Sequence, residues 1–151
     1  MAIYMEIFLG ADHNGFKLKE KIKKYLKKMR IDFKDLGNSR FDPKDDYPDF
    51  AILVAKKVAK TKAKGILICG SGGGMCITAN KIKGIRAAQA FTIFQTRHLR
   101  KEDDINILCL DGWELKEKII KEIVRTFLKT KFSKLIRHKR RIQKIEKIEK
   151  K

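Results

Sequence analysis

The sequence predicts an α/β domain built on a five-stranded, mostly parallel sheet. Three observations carry that reading. Five short apolar runs alternate with longer stretches of helical periodicity. Glycine clusters close the first and third of those runs, at Gly10–Gly15 and Gly70–Gly74. The 151 residues, 43% of them apolar, suit one domain with a core of its own.

The elements follow in order. Met5–Leu9 is a short apolar run ending at Gly10, read as a buried strand. In Phe16–Met29, Leu18, Ile22, Tyr25, Leu26 and Met29 fall at helical spacing with lysines between them. Ile31–Leu36 is strand-like and stops at Gly37-Asn38, a turn signal. A polar loop with Pro43 follows, and Pro48 suits a first helical turn ahead of Phe50, Val54 and Val58. Gly65–Cys69 is the third strand and Met75–Lys81 a short helix. Ile85–Ala90 and Ile105–Leu110 are strands, with a helix over Thr92–Lys101 between them. Leu115, Ile119, Ile123, Val124 and Phe127 mark a long amphipathic helix. This divides the chain into a domain over 1–131 and a basic helical extension over 132–151. In the extension, Ile142, Ile145 and Ile148 form a narrow stripe that suits either a partner subunit or a solvated tail.

Composition excludes several classes. No apolar run approaches the ~20 residues of a membrane span. The opening, MAIYMEIFLGADHNG, is too briefly apolar and too soon acidic for a secretory signal. The cysteines at 69, 76 and 109 fit neither a paired framework nor a zinc site. The expectation is a reduced, cytoplasmic protein without a metal or cofactor. The 37 basic against 18 acidic residues give a net charge of +19. Eight basic residues and one acid lie in 17–30, and eleven basic residues and two acids in 129–151. Such a field draws anions, nucleic acid and phosphorylated metabolites alike, or is a solvated lysine-rich surface. No nucleic-acid-binding motif accompanies it.

Three constellations could carry chemistry. Gly10-Ala11-Asp12-His13-Asn14-Gly15 lies where the first strand gives way to a helix. Asp12 can accept from hydroxyls and His13 can donate to a phosphate, or Asp12 and Asn14 simply cap the helix. Cys69-Gly70-Ser71-Gly72-Gly73-Gly74 matches neither a Walker A loop nor a dinucleotide fingerprint. It offers a thiol beside unencumbered backbone N–H groups. A helix start there would lower the thiol pKa toward that of a working base and stabilise an oxyanion; the alternative is an inert buried cysteine. Cys76 and Cys109 read as inert packing residues. Arg137 and Arg141, four apart, share a helix face and suit a phosphate, or belong to one more solvated run. The residues name a small, hydroxylated, anionic ligand that undergoes proton transfer at carbon.

These pieces also form a recognisable set. Gly-Ala-Asp-His-Asn-Gly-Phe at 10–16, Asp-Tyr-Pro-Asp-Phe-Ala at 46–51 and Ile-Leu-Ile-Cys-Gly-Ser-Gly at 66–72 occur in order with Ala-Asn-Lys at 79–81, Gly-Ile-Arg-Ala at 84–87 and Arg-His-x-x-Arg at 137–141. The chain thereby resembles type B ribose-5-phosphate isomerases, in the wider family that includes the galactose-6-phosphate isomerase subunits. The resemblance implies a Rossmann-like α/β/α sandwich, a homodimer or homotetramer with active sites shared between subunits, and aldose–ketose isomerisation through an enediolate. It implies Cys69 as the base. Ser71 and the amides of Gly70, Gly72, Gly73 and Gly74 would hold oxygens. Asp12 would bind hydroxyls, Tyr47 line the pocket, and His13, Arg137 and Arg141 hold the phosphate. Three positions depart from the family pattern. Glu102 stands at the place of the ring-opening histidine, with His98 one helical turn before it; Asp103 stands at an asparagine, and Trp113 at an arginine. These departures leave open a hexose 6-phosphate or another sugar phosphate as substrate.

Overall fold

The computed structural model describes residues 5–150; the opening Met1–Tyr4, on which part of the leader reading rests, lies outside them. The chain runs β1 (Ile7–Ala11), α1 (Phe16–Lys28), β2 (Phe33–Asp35), α2 (Tyr47–Thr61), β3 (Lys64–Cys69), α3 (Gly73–Ala79), β4 (Ala87–Gln89), α4 (Ile93–Asp103), β5 (Ile107–Asp111), α5 (Glu117–Lys129) and α6 (Ile136–Ile148). The strands lie in the order β2-β1-β3-β5-β4. Every pairing is parallel, with Leu9 opposite Ile66 and Cys69 opposite Asp111. The predicted three-layer α/β/α architecture is therefore present. Strand limits differ from the sequence reading by about two residues, because apolar content marks burial and not the reach of the hydrogen-bond ladder. β1, for example, runs on through Gly10 and Ala11.

Parallel strands are covered on both faces, which is why β1, β3 and β5 read as unbroken apolar runs. On one face, Leu18, Ile22 and Leu26 of α1 meet Ile120, Ile123, Val124 and Phe127 of α5 over Ile7, Leu9, Ile66 and Leu108. On the other, Val54 and Val58 of α2 and Met75 and Ala79 of α3 pack over Phe8, Leu67 and Ile107. The loop after β1 thus turns to one face and the loop after β3 to the other. A crevice opens between them at the carboxyl edge, where ligands enter open parallel sheets.

The C-terminal helix is anchored to its own domain. Ile142 and His138 are buried, and Glu149 accepts the Gly84 N–H at 3.0 Å. Ile145 and Ile148 are exposed, so the isoleucine stripe divides: one residue packs at home and two face outward. No helix among the described residues is long and apolar enough to cross a membrane.

Candidate active site

Cys69 ends β3 at the mouth of the crevice and is 4% exposed. Beyond it the chain reverses through Gly72, whose φ of +80° is a left-handed conformation that glycine adopts without strain. The reversal brings the Gly72 N–H to 3.1 Å from Cys69 Sγ. The amides of Met75 and Gly74 also point at the sulfur. The thiol is nonetheless raised above its ordinary value. Burial is the largest influence and pushes it up, the amides pull it down, and the nearby Asp12 carboxylate pushes it up again. This corrects the expectation of a lowered pKa: the favourable helix start is present, and desolvation outweighs it.

Asp12 sits on the β1 side of the crevice, 4% exposed. Its Oδ1 accepts the N–H groups of Asn14 and Gly15, each at 3.0 Å. Asp12 thus braces the turn ahead of α1, whose first turn has no side-chain cap, and among the described residues its Oδ2 has no protein hydrogen bond. Burial raises this carboxyl's pKa, and the Gly15 N–H opposes the rise. His13 follows. Asp45 accepts both its backbone N–H, at 2.9 Å, and its ring Nδ1–H, at 2.8 Å. The hydrogen bond to Asp45 raises the imidazole pKa. Asp45 is held in turn by the Asn38 side-chain amide. Asp12, His13 and Asp45 bring one potential metal-ligating atom each within 4.8 Å of the others, and their hydrogen bonds already engage several of those atoms.

Aromatic walls complete the crevice. Tyr47, at the start of α2, lies against Gly74 so closely that a Cβ there would stand 2.6 Å from the ring. The Trp113 indole lies over Gly70, where a Cβ would meet it at 2.2 Å. Its backbone is fixed by Asp111, whose Oδ1 accepts the Trp113 and Glu114 N–H groups at 2.7 and 2.9 Å. Ser71 sits at the exposed rim; its Oγ accepts the Gly73 N–H at 3.2 Å and its carbonyl accepts from the Gln89 amide. Asp45 and Gln89 escaped the sequence reading. Only the fold brings them to the loops they brace, 32 and 18 residues away.

The remaining expected residues gather elsewhere. α4 starts beyond the carboxyl end of β4 and runs back about 16 Å along the sheet. At its far end the Asp104 carbonyl meets Arg86, just ahead of β4, at 3.0 Å. Glu102 and Asp103 therefore lie toward the amino edge, with Arg137, Arg141 and His138 of α6 close to their carboxylates. His98 Nδ1 lies 3.0 Å from Glu102 Oε1, and this contact holds the Glu102 carboxyl below its usual range. So Cys69, Ser71, Asp12, His13, Tyr47 and the glycines share one crevice. His98, Glu102, Asp103, Arg137 and Arg141 form a second, exposed group that this chain does not bring to it.

Comparison with known proteins agrees with the architecture. The family model described as Ribose/Galactose Isomerase matches residues 7–145. The chain is 45% identical to the Probable ribose-5-phosphate isomerase B of Mycoplasma genitalium, over 95% of each chain. It is 37% identical to the Ribose-5-phosphate isomerase B of Mycobacterium tuberculosis, over 91% of this chain and 86% of that one. The crystal structure of the Mycoplasma genitalium enzyme with bound ribulose-5-phosphate superposes with a TM-score of 0.93 at 44% identity, over 97% of each chain. Type B ribose 5-phosphate isomerase of Trypanosoma cruzi also gives 0.93, at 38% identity and 97% coverage of each chain. With a family model matching residues 7–145, a matched fold and near-complete coverage, the chain belongs to the ribose/galactose isomerase family.

Proposed function

We propose that the protein interconverts ribose 5-phosphate and ribulose 5-phosphate through an enediolate, with Cys69 as the base. One observation carries the reading: a single thiol stands at the carboxyl end of β3, within a ring of backbone amides and beside a buried carboxylate. Cys69 moves the proton between C1 and C2. The amides of Gly70–Gly74 and Ser71 Oγ receive the charge that develops on oxygen, a task worth about 10²–10³-fold per donor. Asp12, through its free oxygen, takes a sugar hydroxyl, and Tyr47 closes one wall. His13, whose imidazole pKa is raised by its hydrogen bond to Asp45, holds the phosphate. The relatives' names support this substrate, and so does the bound ribulose-5-phosphate of the Mycoplasma genitalium enzyme.

The active unit is a homodimer, or a tetramer built from such dimers, with each site completed by the second copy. The separation of the two residue groups supports this. Among the described residues the crevice offers a base and one imidazole for a phosphate, while Arg137 and Arg141 lie exposed on α6, near Glu102 and Asp103. Exposed Phe91, Phe94 and Ile145 add apolar surface for the contact. In the shared site Arg137 and Arg141 grip the phosphate, and the His98–Glu102 pair opens the sugar ring with Asp103 at the hydroxyls.

The test is proton exchange on ribulose 5-phosphate in heavy water, followed by NMR, with Cys69→Ala as control. Ribulose 5-phosphate cannot close a furanose ring through its phosphorylated O5, so the assay isolates the proton transfer. Exchange at C1 that vanishes in Cys69→Ala is expected; exchange that persists overturns the base assignment. A second reading, a hexose 6-phosphate as substrate, is favoured by the Trp113 wall over Gly70. Faster turnover of a hexose 6-phosphate than of ribose 5-phosphate in a substrate panel would establish it.

A further inference from the structure

Lys19 and Asn38 stand behind the loop that carries Asp45. Lys19 is on the buried face of α1 and is 0% exposed. Its ammonium is paired with Asp35 at the end of β2, and it donates to the Asn38 carbonyl at 2.6 Å. Asp35 Oδ1 also accepts the Gly37 N–H at 2.9 Å, and the Leu36 N–H donates to the Leu9 carbonyl at 2.8 Å. A Cβ on Gly37 would stand 3.1 Å from the Lys19 ammonium and from the Ala11 nitrogen, so this turn lies tight against α1 and the end of β1. From the turn, the Asn38 side-chain amide donates to Asp45 Oδ2. Asp45 Oδ1 takes the backbone and ring N–H groups of His13. The carboxylate is thus divided: one oxygen is gripped by the turn, and the other grips the imidazole. The Asp45 side chain is 7% exposed and the His13 side chain 29%. Phe41, from the same loop, meets the His13 ring edge-on at 6.5 Å and the Phe16 ring at 6.3 Å. His13 Nε2 is on the exposed side, 3.2 Å from the Asn14 side-chain amide. Asp12 is the second carboxylate that acts on this ring.

We propose that Lys19 and Asn38 are positioning residues for the phosphate: they fix the turn after β2 so that Asp45, and through it His13, is in place before the ligand arrives. The inference rests on the assignment of the phosphate to His13. Neither residue touches the ligand. The physical reason is pre-organisation. A loop and an imidazole that must be ordered on binding give up part of the contact energy, whereas a loop already tied down does not. The anchor is firm because a buried ammonium cannot leave its carboxylate and carbonyl without stranding its charge.

The test compares full-length wild type, Asn38→Ala, Asp45→Asn and the double variant. Asn38 is half-buried, and Asn38→Ala leaves the Lys19 bond to the backbone carbonyl in place, so the circular dichroism spectrum should be unchanged. Asn38→Ser, which keeps a shorter donor, serves as the milder variant. The first readout is the NMR titration of the His13 ring carbons in the free protein. A loosened Asp45 spends less time on the ring, so in Asn38→Ala the His13 pKa should move down toward the ordinary 6.5. The second is binding. KM for ribose 5-phosphate and the inhibition constant of inorganic phosphate should both rise about fivefold in Asn38→Ala, with kcat little changed. In the Asp45→Asn background Asn38→Ala should add nothing to KM, because the two act in series. Lys19→Met should shift the His13 titration in the same direction. An unchanged titration and KM in folded Asn38→Ala would overturn the proposal. Additive effects in the double variant would do so too, since they would give Asn38 a merely structural role. The titration, and the shift of the His13 resonances on adding inorganic phosphate, need no turnover. A wild type inactive on ribose 5-phosphate would therefore overturn the isomerase assignment, while these two readouts still decide the positioning role.

Discussion

Asp45 receives both the backbone N–H and the ring Nδ1–H of His13, at 2.9 and 2.8 Å, and so fixes the position of the imidazole and raises its pKa from 32 residues away. Asp45→Asn should lower the His13 pKa, seen as a shifted titration of its ring carbons by NMR. If His13 is the proposed phosphate anchor, which does not react, KM for the sugar phosphate should rise about tenfold with kcat little changed. An unchanged KM would remove His13 from the phosphate site.

As the proposed base, Cys69 has a proton that is hard to remove in the free enzyme, since burial raises its thiol above the ordinary cysteine value. The value of kcat/KM should therefore climb through neutral pH and level off only on the alkaline side of 9.0. Cys69→Ala should lower kcat by about 10²–10⁴-fold while the circular dichroism spectrum is unchanged. A plateau already reached near neutrality would mean that bound substrate or a second subunit supplies a charge absent from this chain.

Lys19 is 0% exposed, and its ammonium donates to Asp35 Oδ1 and Oδ2 at 3.0 and 2.8 Å and to the Asn38 carbonyl at 2.6 Å. Lys19→Met removes these bonds but leaves Asp35 its Lys23 partner at 2.8 Å, so it should cost about 2 kcal/mol in urea unfolding. Asp35 is held below its usual value: burial alone would raise it, and its bonds to Lys19, Lys23 and the Gly37 N–H outweigh that effect. Its contribution is thus complete above the unfolded value of 3.8 and is lost as pH falls through the lower folded value. The acid dependence of stability should flatten in Asp35→Asn.

Lys64 points from the start of β3 at the end of α5, where it donates to the Phe127 and Leu128 carbonyls at 3.3 Å. Burial, helped by the nearby Arg100, lowers its ammonium from 10.5 to about 8. Between those values the unfolded chain binds a proton that the folded chain does not, so stability from this group rises as pH increases from about 8 to 10.5. Urea midpoints across that window should show the rise in the wild type and lose it in Lys64→Met.

How much of this was legible beforehand differs from residue to residue. Leu18, Ile22 and Leu26 announce α1 because a helix buries one stripe, and that stripe packs as expected. Ile66, Leu67 and Ile68 announce a strand covered on both faces. The thiol pKa was misjudged, because local sequence shows the helix start at Gly72–Gly74 but not the desolvation imposed by α2, α3 and β5.

By itself, then, the sequence determined the alternation of strands and helices and the places of the crevice loops at Gly10–Gly15 and Cys69–Gly74, since each depends on neighbours within a few residues. Only the tertiary structure decided what depends on distant partners. It chose the strand order, gave His13 its Asp45 and Ser71 its Gln89, and laid Trp113 over Gly70. It also kept His98, Glu102, Arg137 and Arg141 away from Cys69 within one chain. Burial and long-range contact arise from packing, and packing is settled by how the layers close on one another, not by spacing along the chain.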